Sequence, residues 1–253
     1  MKLTDTHCHI ISEKYEQTKE ELINEWKENN GGHMFVVGVD LPSSQEMNEV
    51  SKRYDFVHAI VGIHPQYAPK TTNQDLIELE KLIPSSVAVG EIGLDFYYGK
   101  DDAEKQIEIF EYQMQLAEKY SKPVCIHTRD AMQKTIDILK KFPNVKGVVH
   151  CYSGSKESAK ELVKLGYLIG VGGILTFKNG RELNETVLTV GIENIVLETD
   201  APYLTPEPYR GNINKPHLVY FVAQKVSELL NISLDEVLQK TEQNAKNIYN
   251  ISD

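Results

Sequence analysis

Eight short apolar runs punctuate this chain, near positions 2–5, 34–39, 57–63, 86–92, 123–127, 146–151, 167–172 and 195–199. Stretches of helical spacing separate them, at 13–30, 43–54, 73–82, 102–121, 130–142 and 155–165, with a short one near 181–190 and two closing segments at 215–230 and 234–249. Strands that alternate with helices point to βαβ units and a parallel sheet, buried on both faces. Two architectures use eight such units in about 250 residues: a TIM barrel and an open doubly wound sheet. Ser43-x-x-Glu46 and Ser233-x-x-Glu236 read as capping boxes that open two of the helices.

The ends of the runs decide between the two. Lys2-Leu3-Thr4-Asp5-Thr6-His7-Cys8-His9-Ile10 places two histidines on one face of a strand, because side chains alternate and Cys8 points away. Later runs end in His64, Glu91 with Asp95, His127, His150 and Asp200. In a barrel these C-terminal ends form one rim around a central site, whereas an open sheet strings them along an edge. The expected fold is therefore α/β, a TIM (β/α)8 barrel, with residues 1–253 as one domain.

Composition narrows the class of partner. The chain carries 27 basic and 37 acidic residues, a formal net charge of −10. Proteins that coat duplexes by neutralising phosphates are basic, so extended sequence-independent duplex binding is disfavoured. A compact site that meets one or two phosphates through bound cations is compatible with the charge. No apolar stretch approaches the roughly 20 residues needed to span a bilayer, and the N-terminus does not read as a signal peptide. The three cysteines, Cys8, Cys125 and Cys151, form no Cys-x-x-Cys pair and read as small strand residues in a reducing compartment. A cytoplasmic protein with no membrane partner is expected, as a monomer or weak oligomer.

First-row divalent metals favour imidazole mixed with carboxylate, and a carboxylate can bridge two ions. His7, His9, Glu91, His127, His150 and Asp200 supply that mixture. Any one of these histidines alone reads as structural; six ligand types on matching strand ends do not. The pattern allows two ions roughly 3.5–4 Å apart with Glu91 between them.

Asp5-Thr6-His7-Cys8-His9, Gly62-Ile63-His64-Pro65, Gly90-Glu91-Ile92-Gly93-Leu94-Asp95, Ile126-His127-Thr128-Arg129, His150-Cys151-Tyr152-Ser153-Gly154 and Glu198-Thr199-Asp200-Ala201-Pro202-Tyr203-Leu204 closely resemble the TatD family of metal-dependent hydrolases, as does Tyr209-Arg210-Gly211-x-x-Asn214-x-Pro216. The resemblance runs along essentially the whole chain in order. It implies a barrel of the metal-dependent amidohydrolase type with deoxyribonuclease or related phosphodiesterase activity, expected as 3′-to-5′ exonuclease action on single-stranded DNA ends. It implies two divalent ions, Mg, Mn or Zn: one on His7 and His9 with Asp200 nearby, the other on His127 and His150, with Glu91 shared. Many relatives in the wider superfamily bridge their metals with a carboxylated lysine, but this chain has Glu91 there and its nearest lysine, Lys122, precedes the fifth run. A water activated at the metals would be the nucleophile, with Asp200 as its general base. Glu91 and Asp200 are thus the expected catalytic pair.

Three residues are expected to contact substrate. His64 reads as a phosphate or substrate contact, Arg210 as a bidentate phosphate clamp or else an ion-pair partner of Glu198 or Asp95, and Tyr203 as a pocket wall. Asp95 and Glu198 read as groups that orient the ligands. Lys178 reads as a solvated loop lysine, and His33, His58 and His217 as ordinary surface or structural histidines. Two other functions remain open: a metal-dependent ester hydrolase such as a D-aminoacyl-tRNA deacylase, and a non-catalytic metal-binding scaffold.

Overall fold

The computed structural model describes residues 1–97 and 99–251. Strands and helices alternate as β1 (Leu3–Cys8), α1 (Lys19–Glu28), β2 (Gly31–Val37), α2 (Leu41–Ser51), β3 (Val57–Val61), α3 (Asn73–Leu82), β4 (Ala88–Asp95), α4 (Ala103–Lys119), β5 (Val124–Arg129), α5 (Met132–Leu139), β6 (Gly147–Val149), α6 (Lys156–Lys164), β7 (Tyr167–Val171), α7 (Arg181–Val190), β8 (Ile195–Leu197), α8 (Val219–Leu230) and α9 (Leu234–Tyr249). The eight strands form one sheet in chain order, and β1 through β8 pair in parallel with their neighbours. The fold is the TIM barrel expected from the apolar runs.

Closure between β8 and β1 is made by few atoms. β8 stops at Leu197, and the seam is completed beyond it by a parallel bridge from Cys8 to Ala201. His9 N donates to the Ala201 carbonyl at 2.8 Å, Asp200 N to the His7 carbonyl at 2.9 Å, and Thr6 Oγ1 to the Leu197 carbonyl at 3.0 Å.

Apolar packing separates into two clusters. The larger fills the space between sheet and helices and includes Trp26, Phe110 and Tyr152. The smaller gathers Phe35, Val37, Ile60, Ala88, Cys125, Val148 and Val196 with Ala245 and Tyr249 of α9. Side chains drawn from β2 to β6 and β8 can meet only inside the ring. Helix α9 seals its lower end: the Tyr249 ring packs tilted against Phe35 with centroids 4.6 Å apart, and Asn244 Nδ2 donates to the carbonyls of Ile192 and Ile195 where β8 begins. The upper end, where the strands finish, is left to polar residues.

Several boundaries differ from the sequence reading. Helix α1 starts at Lys19 rather than 13, with Thr18 and Glu21 exchanging the bonds of a capping box. Helix α2 starts at Leu41: its cap is Asp40, with Ser43 as the reciprocal partner, and Glu46 pairs instead with Lys19 at 2.6 Å. An Asp cap two residues ahead of a Pro at the first turn outcompetes the serine, since Pro42 is pre-set for a helical start. Residues 216–218 form a 3₁₀ turn, so α8 begins at Val219 instead of 215. Ser233 caps α9 by accepting from Glu236 N, but the reciprocal glutamate bond of the expected capping box is not among the described bonds. Among the described residues, no helix is long and apolar enough to cross a membrane.

Candidate metal centre

Backbone geometry at the strand ends turns the ligand residues inward. In β4 the register with β5 shifts between Val89 and Ile92, which places Glu91 at an irregularity. Gly93 follows at φ +144°, and a Cβ there would lie 1.9 Å from the His127 carbonyl oxygen. Only glycine fits so close an approach. Cys151 and Asp200 sit at φ +46° and +54° just after β6 and β8. Such left-handed conformations cost non-glycine residues roughly 1–3 kcal/mol each, and they persist where surrounding bonds over-determine them. Here Cys151 N donates to the Glu198 carboxylate, Asp200 N to the His7 carbonyl and Tyr203 N to the Asp200 carbonyl.

The six expected ligands converge, and His64 joins them. Glu91 divides its carboxylate between two groups of imidazoles. Oε1 lies 2.7 Å from His150 Nε2, 2.9 Å from His127 Nδ1 and 3.5 Å from His64 Nε2. Oε2 faces the other group, 3.4 Å from His7 Nε2 and 3.7 Å from His9 Nε2. Asp200 Oδ1 stands on that second side, 3.5 Å from His9 Nε2 and 3.8 Å from His7 Nε2. His9 lies one residue past the end of β1, yet its Nε2 comes within 3.1 Å of His7 Nε2.

The far nitrogen of each ring fixes which nitrogen carries the lone pair. His9 Nδ1 faces the Val37 carbonyl at 3.3 Å and His127 Nε2 faces Asp95 Oδ2 at 3.3 Å, so both must present N–H there. Their opposite nitrogens face the carboxylates and donate to them, His9 Nε2 toward Asp200 and His127 Nδ1 toward Glu91, and despite burial these bonds help to hold both rings above the usual imidazole range. His150 Nδ1 points toward Glu198 Oε1 at 3.8 Å, and His7 Nδ1 meets the Cys125 thiol at 3.3 Å. His64 is the exception. Its Nδ1 accepts the Gln66 N–H at 3.2 Å, so the neutral ring carries hydrogen on Nε2 and offers the site a donor rather than a lone pair.

Electrostatics ask for positive charge. Burial pushes His7 down to about 4 and His64 to about 3, so both are neutral at pH 7. Burial works the same way on His150, but Glu91 and Glu198 outweigh it and hold that ring up at about 9. Burial would raise Glu91, yet the charge on His150 and the bonds from His127 and His150 keep it well below the usual carboxylate range. Among the described residues, no lysine or arginine is paired with Glu91 or Asp200; only imidazoles face these anions. Imidazoles beside two ionised carboxylates, their protons displaced by the ion on binding, are the donor set of a first-row divalent ion. Three overlapping triads have ligand atoms within 4.8 Å of one another: His7, His150 and Asp200; His7, His9 and Glu91; and His64, Glu91 and His127. His150 Nδ1 and Glu198 Oε2 are buried without a hydrogen-bond partner among the described residues.

A ring of supporting residues holds these groups. Asp95 takes N–H bonds from Tyr97 and Gln66 and, despite burial, is held down to about 2, chiefly by His127. Two glutamines seven residues apart on α4 each clamp one strand-end loop. Gln106 bonds both backbone groups of Asp95, and Gln113 both those of Ile63, next to His64. Sequence reading missed this pair; the only signal was amide side chains on an otherwise apolar helix face. It also missed Asp5, fully buried, which accepts from Thr199 N, Thr199 Oγ1 and His7 N and so ties β1 to the chain beyond β8. Asn214 Nδ2 braces the carbonyls of Thr199 and Tyr203.

The centre opens into a cavity of about 1060 Å³ whose lining includes His64, Tyr203, Lys14 and Arg129. Arg210 is placed elsewhere: it is exposed, its guanidinium 3.8 Å from the Phe177 ring, and it is neither in the described lining nor paired with Glu198 or Asp95. Lys178 is exposed. His33 and His58 bond one another at 2.8 Å near the α9 end of the barrel, and His217 lies 3.7 Å from Glu25. All three cysteines are free thiols.

Known proteins share this frame over their full length. The family model described as TatD related DNase matches residues 4–250. The metal-dependent hydrolase YabD of Bacillus subtilis is 37% identical, covering 99% of this chain and 100% of its own. The metal-dependent hydrolase YcfH of Escherichia coli K12 is 32% identical, over 99% of this chain and 97% of that protein. The crystal structure of YJJV, a TatD homologue from Escherichia coli K12, superposes with a TM-score of 0.92 at 28% identity, covering 99% of this chain and 98% of the other. With a barrel of the same topology and an imidazole–carboxylate centre at its mouth, this chain belongs to the TatD-related family of metal-dependent hydrolases.

Proposed function

We propose that this protein hydrolyses phosphodiester bonds of nucleic acid, working from single-stranded or frayed DNA ends in the 3′-to-5′ direction with two divalent ions. The observation that carries the reading is the division of Glu91 between two imidazole groups. One ion would be held by His7, His9 and Asp200, the other by His127 and His150, with Glu91 shared between them. Ions held there supply positive charge against the oxygens of the reacting ester and make a water molecule acidic near neutral pH. Zn and Mn suit the nitrogen-rich donors, while Mg favours oxygen.

The protein's own groups do the rest. Asp200, although buried enough to be raised, is held ionised by His9 and His150, so it can accept a proton from the attacking water. His64 Nε2–H donates into the cavity toward a phosphoryl oxygen. Asp95 and Glu198 keep His127 and His150 in register, and Tyr203 forms one wall. The wide mouth admits a strand terminus more readily than the interior of a duplex.

The test is incubation of protein reconstituted with Mg, Mn or Zn with DNA labelled at either end, single- or double-stranded. Progressive loss of nucleotides from the 3′ end of single strands is expected. Turnover of D-aminoacyl-tRNA with intact DNA would transfer the assignment to an ester hydrolase, and turnover of neither would leave a metal-binding scaffold.

A further inference from the structure

Arg210 stands apart from the metal centre, yet its surroundings are organised. Its guanidinium carbon lies 3.8 Å from the centroid of Phe177, in the chain beyond β7. A second exposed cation is seated in the same manner. Lys14, in the chain beyond β1, has Nζ 4.0 Å from the centroid of Tyr203, and that ring stands 6.4 Å from the ring of His9. Lys14 and Tyr203 line the cavity, and Lys14 is the one lysine among the described lining residues. Among the described residues, no carboxylate forms an ion pair with Lys14 or Arg210; each cation rests on its ring.

The three loops that carry these pairs are bonded into one body. The loops beyond β7 and β8 touch at Gly173, where a Cβ would lie 1.9 Å from the Leu204 carbonyl oxygen, and Glu207 N donates to Thr176 Oγ1 at 2.9 Å. The loop beyond β1 is tied on through Tyr15, whose hydroxyl donates to the Asn214 carbonyl at 2.9 Å. Asn214 Nδ2 in turn donates to the Tyr203 carbonyl at 2.6 Å. Lys14 adjoins Tyr15, so both members of the inner pair are anchored by Asn214. Ile174 and Leu204 line the cavity, and Phe177 and Arg210 follow on the same two loops, beyond the described lining. The two seats therefore mark one direction, from the metal centre past Tyr203 and over the rim above β7 and β8.

A cation resting on an aromatic ring is held in place without losing its charge, and its outward N–H groups stay available to an anion. Guanidinium on such a seat presents a fork that matches phosphate oxygens. Cations spaced along a path, with aromatic side chains beside them, suit a single strand of any sequence. We propose that Lys14–Tyr203 and Arg210–Phe177 are the inner and outer seats of a one-sided track that carries a single strand out of the cavity over the loops beyond β8 and β7. This rests on the phosphodiesterase reading above. The preferred substrate is then a strand several nucleotides long, with the phosphate next to the scissile one on Lys14 and a more distant one on Arg210. A dinucleotide with a 5′ phosphate reaches the inner seat alone.

Substrate length reads the track. With the metal-loaded enzyme, kcat/KM is compared for 5′-phosphorylated dithymidylate and for decathymidylate. Lys14→Gln is expected to lower it about fivefold on both, through KM, whereas Arg210→Gln should lower it about fivefold on the decamer and leave the dimer unchanged. Binding of fluorescein-labelled decathymidylate is followed by anisotropy in EDTA, where nothing is cleaved. Each variant should weaken it about fivefold and flatten the dependence of log Kd on log salt by about 0.7, one counterion on a single strand. Arg53→Gln, an exposed change between α2 and β3 at the other end of the barrel, should alter none of these. If Lys14→Gln and Arg210→Gln both match Arg53→Gln while DNA is still degraded, the track is wrong and the nuclease reading stands. An effect in only one of the two overturns the path between the seats. Equal losses on dimer and decamer in Arg210→Gln would mean that it acts through the loop and not on the strand, which also overturns it. Failure of the wild type to bind or cleave either oligonucleotide removes the nuclease reading and the track together.

Discussion

At the scale of single residues, the centre is organised by what each imidazole does with its second nitrogen. Contacts to Val37 and Asp95 place N–H on the far nitrogens of His9 and His127, while Gln66 leaves His64 a donor toward the site. Replacing Glu91 with Gln keeps the shape and removes the charge that both imidazole groups share. Turnover is expected to fall about a thousandfold or more, and metal content by mass spectrometry to drop from two ions to at most one, with the far-UV spectrum unchanged. A variant that retained both ions would refute the shared-carboxylate assignment. Asp95→Asn acts at one remove: it loses the anion that anchors His127, and metal affinity should weaken about 10- to 100-fold, read by competition with a chromogenic chelator. That these imidazoles and carboxylates converge was legible in the sequence, because their chemistry is intrinsic to the side chain and their positions fall at strand ends. Arg210 and Arg129 were not separable that way. Both are arginines near the rim by sequence, and only the course of the loop after β8 carries Arg210 away onto Phe177.

At the scale of elements, strands and most helices were legible because continuous apolar runs and 3.6-residue spacing survive any tertiary context. The starts of α1 and α2 were not, because capping residues compete and the winner depends on the path of the incoming chain. Helix α4 shows a second limit. Gln106 and Gln113 sit on its buried face and satisfy backbone groups 11 and 50 residues away, at Asp95 and Ile63, which periodicity does not reveal. Gln113→Met is nearly isosteric but leaves the N–H and carbonyl of Ile63 without partners. It should cost about 1–3 kcal/mol in stability, seen as a lower urea midpoint, and should raise KM through the loosened His64 loop. A midpoint equal to the wild type would show that water replaces the clamp.

At the scale of the whole molecule, the barrel has a chemical end and a structural end, and they respond differently to pH and metal. His58, near the α9 end and bonded to His33, is lowered to about 4 by burial, with His33 adding to the effect. Its folded value lies below the ordinary 6.5, so unfolding takes up a proton between about pH 4 and 6.5. Stability from this group is complete above that window and falls as pH falls through it. His58→Gln should therefore narrow the gap in unfolding free energy between pH 5 and pH 7, measured by urea titration of both proteins. At the other end, metal at 100 times its dissociation constant should add about 2.7 kcal/mol and raise Tm, an increment that EDTA reverses. The seam between β8 and β1 unites the two ends. The bonds that shut it, Asp200 N to His7 O, His9 N to Ala201 O and Thr199 to Asp5, involve two of the proposed ligand histidines and Asp200 itself. A chain whose ring has sprung open there has no assembled ligand set to offer an ion. Metal occupancy is then a census of correctly closed molecules, and a scarce ion becomes a proofreader of the fold as well as the agent of its chemistry.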